Sequence, residues 1–434
     1  MLIFSAAYAA LNILMFYQED NKSIMYEKTY SLIKKCYWSL PSPIRSMLND
    51  LRYTIVRRLR SKLLGAKTTE NASDINVHDF EGILSTHKNI YVFELAVDWG
   101  IDLYQRPQHL ATALGHDDSF VIYKTQGDGV NGFRNIAHNV WLTNELVYVD
   151  SLDDVKRVYF STSIFNTCEH MIAMREKGRI FYEYIDHISE EISGGKTEIR
   201  ILNEVKAFAF EGGVDHVVAT ADELHTESLR YLEPKNVSLI PNGVNVEHYQ
   251  NIDVNSLLDP CFSDFTAKYD IIVGYFGAIA PWLWYELIDG IVAKNPNLGF
   301  VMLGPDYGGC QSKLPKYDNF LWLGPVSYTE LPCYANEFDA CWIPFSPGDI
   351  AKTTSPLKLF EYFALGRPVT VTSDMRECTK YNEVFHGDSL SSFNDALNQS
   401  FHKIGNSDYQ QKTLELAKLN SWNKRAQCYN SIRF

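Results

Sequence analysis

The chain has 434 residues, 46% of them hydrophobic and 13% aromatic, which supports two full cores and excludes a disordered protein. Its net charge of −13 excludes general nucleic-acid binding, because a phosphate backbone needs a basic footprint. Eight cysteines without a C-x-x-C pair, and no matching His/Cys spacing, argue against a zinc site and point to a reducing compartment.

The charge is unevenly spread. Residues 22–67 hold eleven Lys/Arg against Glu27 and Asp50, a local balance of +9 that leaves −22 on the rest. Within that block Leu51, Ile55, Val56, Leu59 and Leu63 recur at helical spacing beside Arg52, Arg57, Arg58 and Arg60. The pattern predicts an amphipathic helix on an anionic membrane surface, with each cation contributing about 1 kcal/mol. A basic helix packed on the protein's own acidic surface is the competing reading. Met1 to Tyr17 is free of charge, falls short of the roughly 20 apolar residues of a spanning helix, and lacks the basic start of a signal peptide. Residues 1–67 are therefore expected to be a hydrophobic and basic helical extension that associates with membrane and leaves the body on the cytoplasmic face.

Residues 68–88 mix polar and turn-forming types and read as a linker. NIYVFELAV (89–97) then reads as a buried parallel strand, QHLATALG as a helix ended by Gly115, and SFVIYKT as the next strand. Further strands are expected in 155–162, 178–186, 215–220 and 237–242. A second series starts at IIVGYFGAI (271–279) and runs through FVMLGP, FLWLG, ACWIPF and VTVTS. Alternating strands and helices imply an α/β protein with two Rossmann-like domains facing across a cleft, over residues 89–250 and 251–415.

Open α/β sheets bind ligands at the C-terminal ends of their strands. Trp99, Arg106, Gln108 and His109 follow the first strand there and are candidates for acceptor binding, with Arg106 suited to a phosphate; a buried helix start would explain His109 equally well. Asp186 and His187 end the fourth strand of the series and are candidates to take or shuttle the proton of an acceptor hydroxyl, against a competing role for Asp186 as a helix cap.

TSPLKLFEYFALGRPV (354–369) puts a helix start, a cation, a carboxylate and a helix stop in fixed register. Ser355 suits a cap, Pro356 the first helical position and Gly366 the stop. Lys358 and Glu361 share one exposed face, while Leu359, Phe360 and Phe363 point to a core. Free N–H groups at a helix start favour a phosphate, a lysine one turn in adds charge, and a carboxylate accepts hydrogen bonds from ribose hydroxyls. An ordinary Lys/Glu surface pair is the plainer alternative. Gly274 and Gly277 permit close backbone approach to a phosphate, or are packing and turn glycines, since a lone G-x-x-G is weak evidence. A nicotinamide dehydrogenase is disfavoured by the missing G-x-G-x-x-G.

Taken in order, 217–229, 237–249, 273–288, 300–305, 319–345, 354–369 and SWNKRA (421–426) resemble GT-B glycosyltransferases, specifically the large retaining family four. The resemblance covers residues 89–434 and implies a C-terminal helix, within 416–434, that packs back toward the first domain. It implies transfer of a sugar from a nucleoside-diphosphate sugar to a lipid-linked or glycan acceptor in bacterial surface-polysaccharide assembly, peripheral on the inner face of the cytoplasmic membrane, with no cofactor and no metal. It places the donor at Gly277, Gly324, Pro325, Val326, Ser355, Lys358 and Glu361. Lys358 would stabilise the departing diphosphate, Glu361 the ribose, and the Gly324-Pro325-Val326 turn the nucleobase. Two departures stand out. The first of the family's two glutamates, which works on the donor sugar, falls on Thr353, with Asp349 the nearest acid upstream, and Pro281 and Trp282 stand where many relatives carry a basic residue. Rival readings are a sugar-nucleotide epimerase of the same fold and a non-catalytic scaffold.

Overall fold

The computed structural model describes residues 74–434 except 102 and 253–257, so the basic helix expected within residues 1–67 lies outside the described residues. The first sheet contains β1 (Ile90–Phe93), β2 (Phe120–Lys124), β3 (Phe133–Ala137), β4 (Val140–Thr143), β5 (Val155–Phe160), β6 (Gly178–Tyr184), β7 (His216–Ala219) and β8 (Val237–Leu239), in the order β3-β4-β2-β1-β5-β6-β7-β8. All neighbours run parallel except the antiparallel pair β3/β4. The second contains β9 (Ile272–Phe276), β10 (Gly299–Leu303), β11 (Phe320–Gly324), β12 (Ala340–Ile343), β13 (Val369–Thr372) and β14 (Val384–Gly387), all parallel, in the order β11-β10-β9-β12-β13-β14.

Central strands such as β2, β9, β10 and β12 are buried at every position, which is why they read as unbroken apolar runs rather than alternating ones. Strand order reverses between β1 and β5 and again between β9 and β12, and crevices for ligands open at the C-terminal ends of strands at such points.

Five helices carry the argument: α1 (Val77–Leu84), α2 (Arg106–His116), α3 (Asp349–Thr353), α4 (Leu357–Ala364) and α5 (Trp422–Ser431). α1 corrects the expected linker. Asn76 caps it by accepting the Asp79 N–H at 3.0 Å, and fully buried Phe80 stacks on Phe133 at 3.7 Å. Polar composition concealed a helix whose two buried positions, Phe80 and Leu84, lie one turn apart. α2 does not stop at Gly115. That glycine lies inside the helix because a Cβ would strike the carbonyl oxygen of His138, and the left-handed residue comes later, at Asp118 (φ 57°). The β3/β4 pair and β14 are additions to the expected strands. The first turns at Asn139 (φ 54°), a residue type that tolerates this conformation.

α5 returns to the first sheet. Trp422, Ala426 and Tyr429 are buried in one cluster with Tyr91, Leu110 and Leu114, and the Asn430 side chain bonds Asn89, Tyr91 and Asp117.

Gly274 is a packing glycine: a Cβ there would enter the ring of fully buried Phe338. Gly274→Ala should therefore lower unfolding free energy by about 1–3 kcal/mol in urea titrations, with Phe338→Leu recovering part of the loss in the double variant.

Candidate active site

The site is built around the start of α4. Pro356 occupies the N-cap position and the helix begins at Leu357, one residue later than the sequence suggests. Leu359, Phe360 and Phe363 are buried, anchoring one face. The stop is the expected one: Gly366 takes φ 66°, its N–H reaches Phe363 O at 3.0 Å, and the Arg367 N–H reaches Tyr362 O at 3.0 Å.

Lys358 extends from the first turn against Gly277, the residue after β9. Gly277 holds φ 141°, and a Cβ there would stand 2.8 Å from Lys358 Cε. The ammonium lies 5.4 Å from the ring centres of both Tyr275 and Phe345 and makes no ion pair or hydrogen bond among the described residues. Burial lowers its pKa, against the pull of Glu361 and Asp186. Gly277 and Lys358 thus converge as the resemblance implies, and Gly274 does not join them.

Glu361 is buried rather than exposed, at 6% accessibility. The Tyr249 hydroxyl donates to its Oε1 at 2.9 Å, and Oε2 takes no hydrogen bond among the described residues. Burial pushes its carboxyl up to about 7, against that hydrogen bond and Lys358. Asp186, two residues beyond β6, does not cap a helix, since Ser189 stands at the N-cap of Glu190–Ser193. Burial raises it to about 7, against the attraction of Lys358 and Arg106. A carboxyl titrating there is matched to accepting a hydroxyl proton near neutrality. His187 is half-buried, and its charged neighbours are Glu191 and Glu227.

The acceptor candidates fare differently. Arg106 is 3% exposed and committed: Nε and Nη2 grip Glu183 at 2.5 and 3.2 Å, and Nη1 donates to Pro241 O and Asn242 Oδ1. The geometry assigns it to the interior instead of an acceptor phosphate. Gln108 is fully buried, bonding Asp98 O and the Gln105 N–H. His109 is buried, stacked on Trp422 at 5.1 Å, and pushed down to about 3 mainly by burial, so it is neutral. Only Trp99 remains half-exposed, with its ring edge-on to Tyr104 and Tyr123.

Ser355 is buried, and its Oγ accepts the N–H of Asn242 at 3.1 Å, so it ties the domains together rather than capping α4. Gly324 takes φ 81° and its carbonyl accepts the Gly304 N–H at 2.8 Å, which shapes the Gly324-Pro325-Val326 turn. Beyond that turn Tyr328 stacks between Tyr104 of the first domain (4.5 Å) and His248 (4.1 Å), a cross-cleft contact that no spacing rule signalled. Trp282 lies against Tyr307 at 5.7 Å and brings no charge to its position. Thr353 ends α3, is 8% exposed, and donates to Asp349 O at 2.7 Å; Asp349 itself is 72% exposed and pairs with Lys352.

Glu94, Asp150 and His170 have metal-ligand atoms within 4.8 Å of one another. Lys124 already bridges Glu94 and Asp150 at 2.5 Å each, and Arg157 reaches Glu94 at 2.9 Å, so the carboxylates are neutralised by side chains.

The raised carboxyls have a measurable consequence. A carboxyl whose folded pKa lies above its unfolded value of about 4 contributes stability at low pH that is lost as pH rises through about 7. The stability of Asp186→Asn relative to wild type should therefore be higher at pH 8 than at pH 5 in urea unfolding; an unchanged difference would contradict the burial of an ionisable Asp186.

No family model matches the chain. It is 27% identical over 219 residues to TuaH of Bacillus subtilis (strain 168), a protein assigned to teichuronic acid biosynthesis as a glycosyltransferase. The match takes in 48% of this chain and 54% of TuaH, so the chain spans about half the length of that curated relative. Among solved structures, Anabaena HepE in complex with UDP and glucose is similar with a TM-score of 0.56 and 12% identity, over 79% of this chain and 98% of that one. WaaG, a glycosyltransferase involved in lipopolysaccharide biosynthesis, is similar with a TM-score of 0.52 and 13% identity, over 79% and 99%. With its two mainly parallel sheets and these structural likenesses, the chain has the GT-B fold, that of the glycosyltransferases its sequence resembles.

Proposed function

We propose that the protein is a glycosyltransferase that moves a sugar from a nucleoside-diphosphate sugar to a lipid-linked or glycan acceptor in cell-surface polysaccharide assembly. The observation that carries the reading is Lys358: an unpaired ammonium held between two aromatic faces, laid against Gly277 at a helix start, with Glu361 one turn on and Asp186 opposite. A diphosphate supplies the charge that this cation lacks, and the free N–H groups of α4 add to it. Glu361 Oε2 would accept from a ribose hydroxyl. The Gly324-Pro325-Val326 turn would meet the nucleobase. Asp186 would take the acceptor proton as the diphosphate departs, with Lys358 and the helix start stabilising the charge that develops. UDP and UDP-glucose occupy HepE in solved structures, which makes a uridine donor the first to test.

Thr353 favours a second reading, a binding protein without turnover, because it offers no carboxylate to the donor sugar. An epimerase would convert the donor without an acceptor. Peripheral attachment to the inner face of the cytoplasmic membrane through residues 1–67 belongs to the main proposal; among the described residues no helix is long and apolar enough to cross a membrane.

A thermal-shift screen of nucleoside diphosphates and nucleotide sugars should find one stabilising series whose effect is lost in Glu361→Ala. Lys358→Ala should fold normally, weaken that binding, and lower transfer about a hundredfold or more. Donor stabilisation without transfer or hydrolysis selects the binding-protein reading, and wild-type behaviour of both variants refutes the site. Removal of residues 1–67 should abolish co-sedimentation with vesicles rich in anionic lipid; full retention would refute the membrane role of that segment.

A further inference from the structure

The chain passes from the first domain to the second at Pro241–Val246 and returns at Asn420–Trp422, and the two crossings pair: the Val244 N–H reaches Asn420 O and the Trp422 N–H reaches Val244 O, each at 3.1 Å. Asn242 sits at this junction and uses every polar group it has. Its backbone N–H donates to Ser355 Oγ at 3.1 Å, and its side-chain Nδ2 donates to the Ser355 carbonyl at 2.5 Å. Its Oδ1 accepts from Arg106 Nη1 at 3.1 Å, and its carbonyl accepts from Arg425 Nε and Nη2 at 3.2 and 3.1 Å. The amide orientation is forced, because a guanidinium only donates and a carbonyl only accepts.

These contacts link two short arms. On one side Arg106 grips Glu183 in β6, and Asp186 follows three residues later. On the other Ser355 precedes Lys358 by three residues, at the start of α4. We propose that Asn242 is a positioning residue for transfer, holding the Lys358 end of α4 in register with the Asp186 end of β6 across the domain junction. The proposal rests on the glycosyltransferase reading of this site. Asn is required because one side chain must accept from Arg106 and donate to Ser355 at once: aspartate loses the donor, and alanine loses both.

A positioning role separates from a merely structural one through the location of the donor groups. Gly277, Lys358, Glu361 and Gly324 all belong to the second domain, whereas Asp186 belongs to the first. Loss of the tie should therefore spare nucleotide affinity and slow turnover, since a displacement of about 1 Å can cost about a hundredfold.

The test uses the full chain with Asn242→Ala and, as the milder change should the first not fold, Ser355→Ala. Three quantities are compared with wild type: amide hydrogen exchange over residues 357–364 without ligand, UDP affinity, and steady-state release of UDP from UDP-glucose. The expected result is faster exchange in both variants, UDP affinity within about threefold, and turnover reduced about 10–100-fold. Unchanged exchange in both variants overturns the tie. UDP affinity that falls in step with turnover overturns the positioning role and leaves a structural one. A wild-type chain that neither binds UDP nor releases it from UDP-glucose refutes the uridine donor, and the exchange comparison then still upholds or refutes the tie by itself.

Discussion

The geometry of the cleft depends on one buried ion pair, Arg106 with Glu183. Both side chains are almost dry, at 3% and 0% accessibility, so their attraction must offset a large desolvation cost. Such a pair survives only with its remaining hydrogen-bond capacity satisfied, and the Pro241 carbonyl and Asn242 amide provide that. The start of α2, the end of β6 and the crossing between the domains are thereby held together. Asp186 and Ser355 inherit their positions from this core of charge rather than from apolar packing alone.

Lys358 presents the opposite situation. The interior charges at Glu94, Lys124, Asp150 and Arg157 are mutually neutralised without a ligand. Lys358 is enclosed by Tyr275 and Phe345 with no carboxylate bonded to it among the described residues. Aromatic faces return only about 1–2 kcal/mol to a cation, less than a salt bridge in the same surroundings. An ammonium that is partly dehydrated, and unpaired among the described residues, is a local cost that a bound anion would remove. Trp282 adds no charge here, so the charge of the proposed diphosphate would rest mainly on Lys358 and the helix start.

Most strands and the α4 helix with its Gly366 stop were legible, because parallel strands buried on both faces and a Schellman stop leave strong local marks, whereas the return of the tail to the first sheet followed from the resemblance. The helix at 77–84 was hidden by its polar composition, and Gly115 was misread as a stop because a glycine needed for close approach looks the same in sequence as one needed for a turn. Gly274 and Gly277 show the same ambiguity: the first makes room for Phe338, and the second lies beside Lys358.

What the sequence by itself determined was the alternation of strands and helices, hence two Rossmann-like sheets, and the register of Lys358 with Glu361, because periodicity and helix-end chemistry act over a few residues. Tertiary structure alone decided the fate of Arg106, Gln108, His109 and Ser355. Each is a polar residue at a helix start, equally suited to a ligand or to the interior. Which role it takes depends on partners distant in the chain, Glu183, Asp98, Trp422 and Asn242, that local pattern cannot bring together.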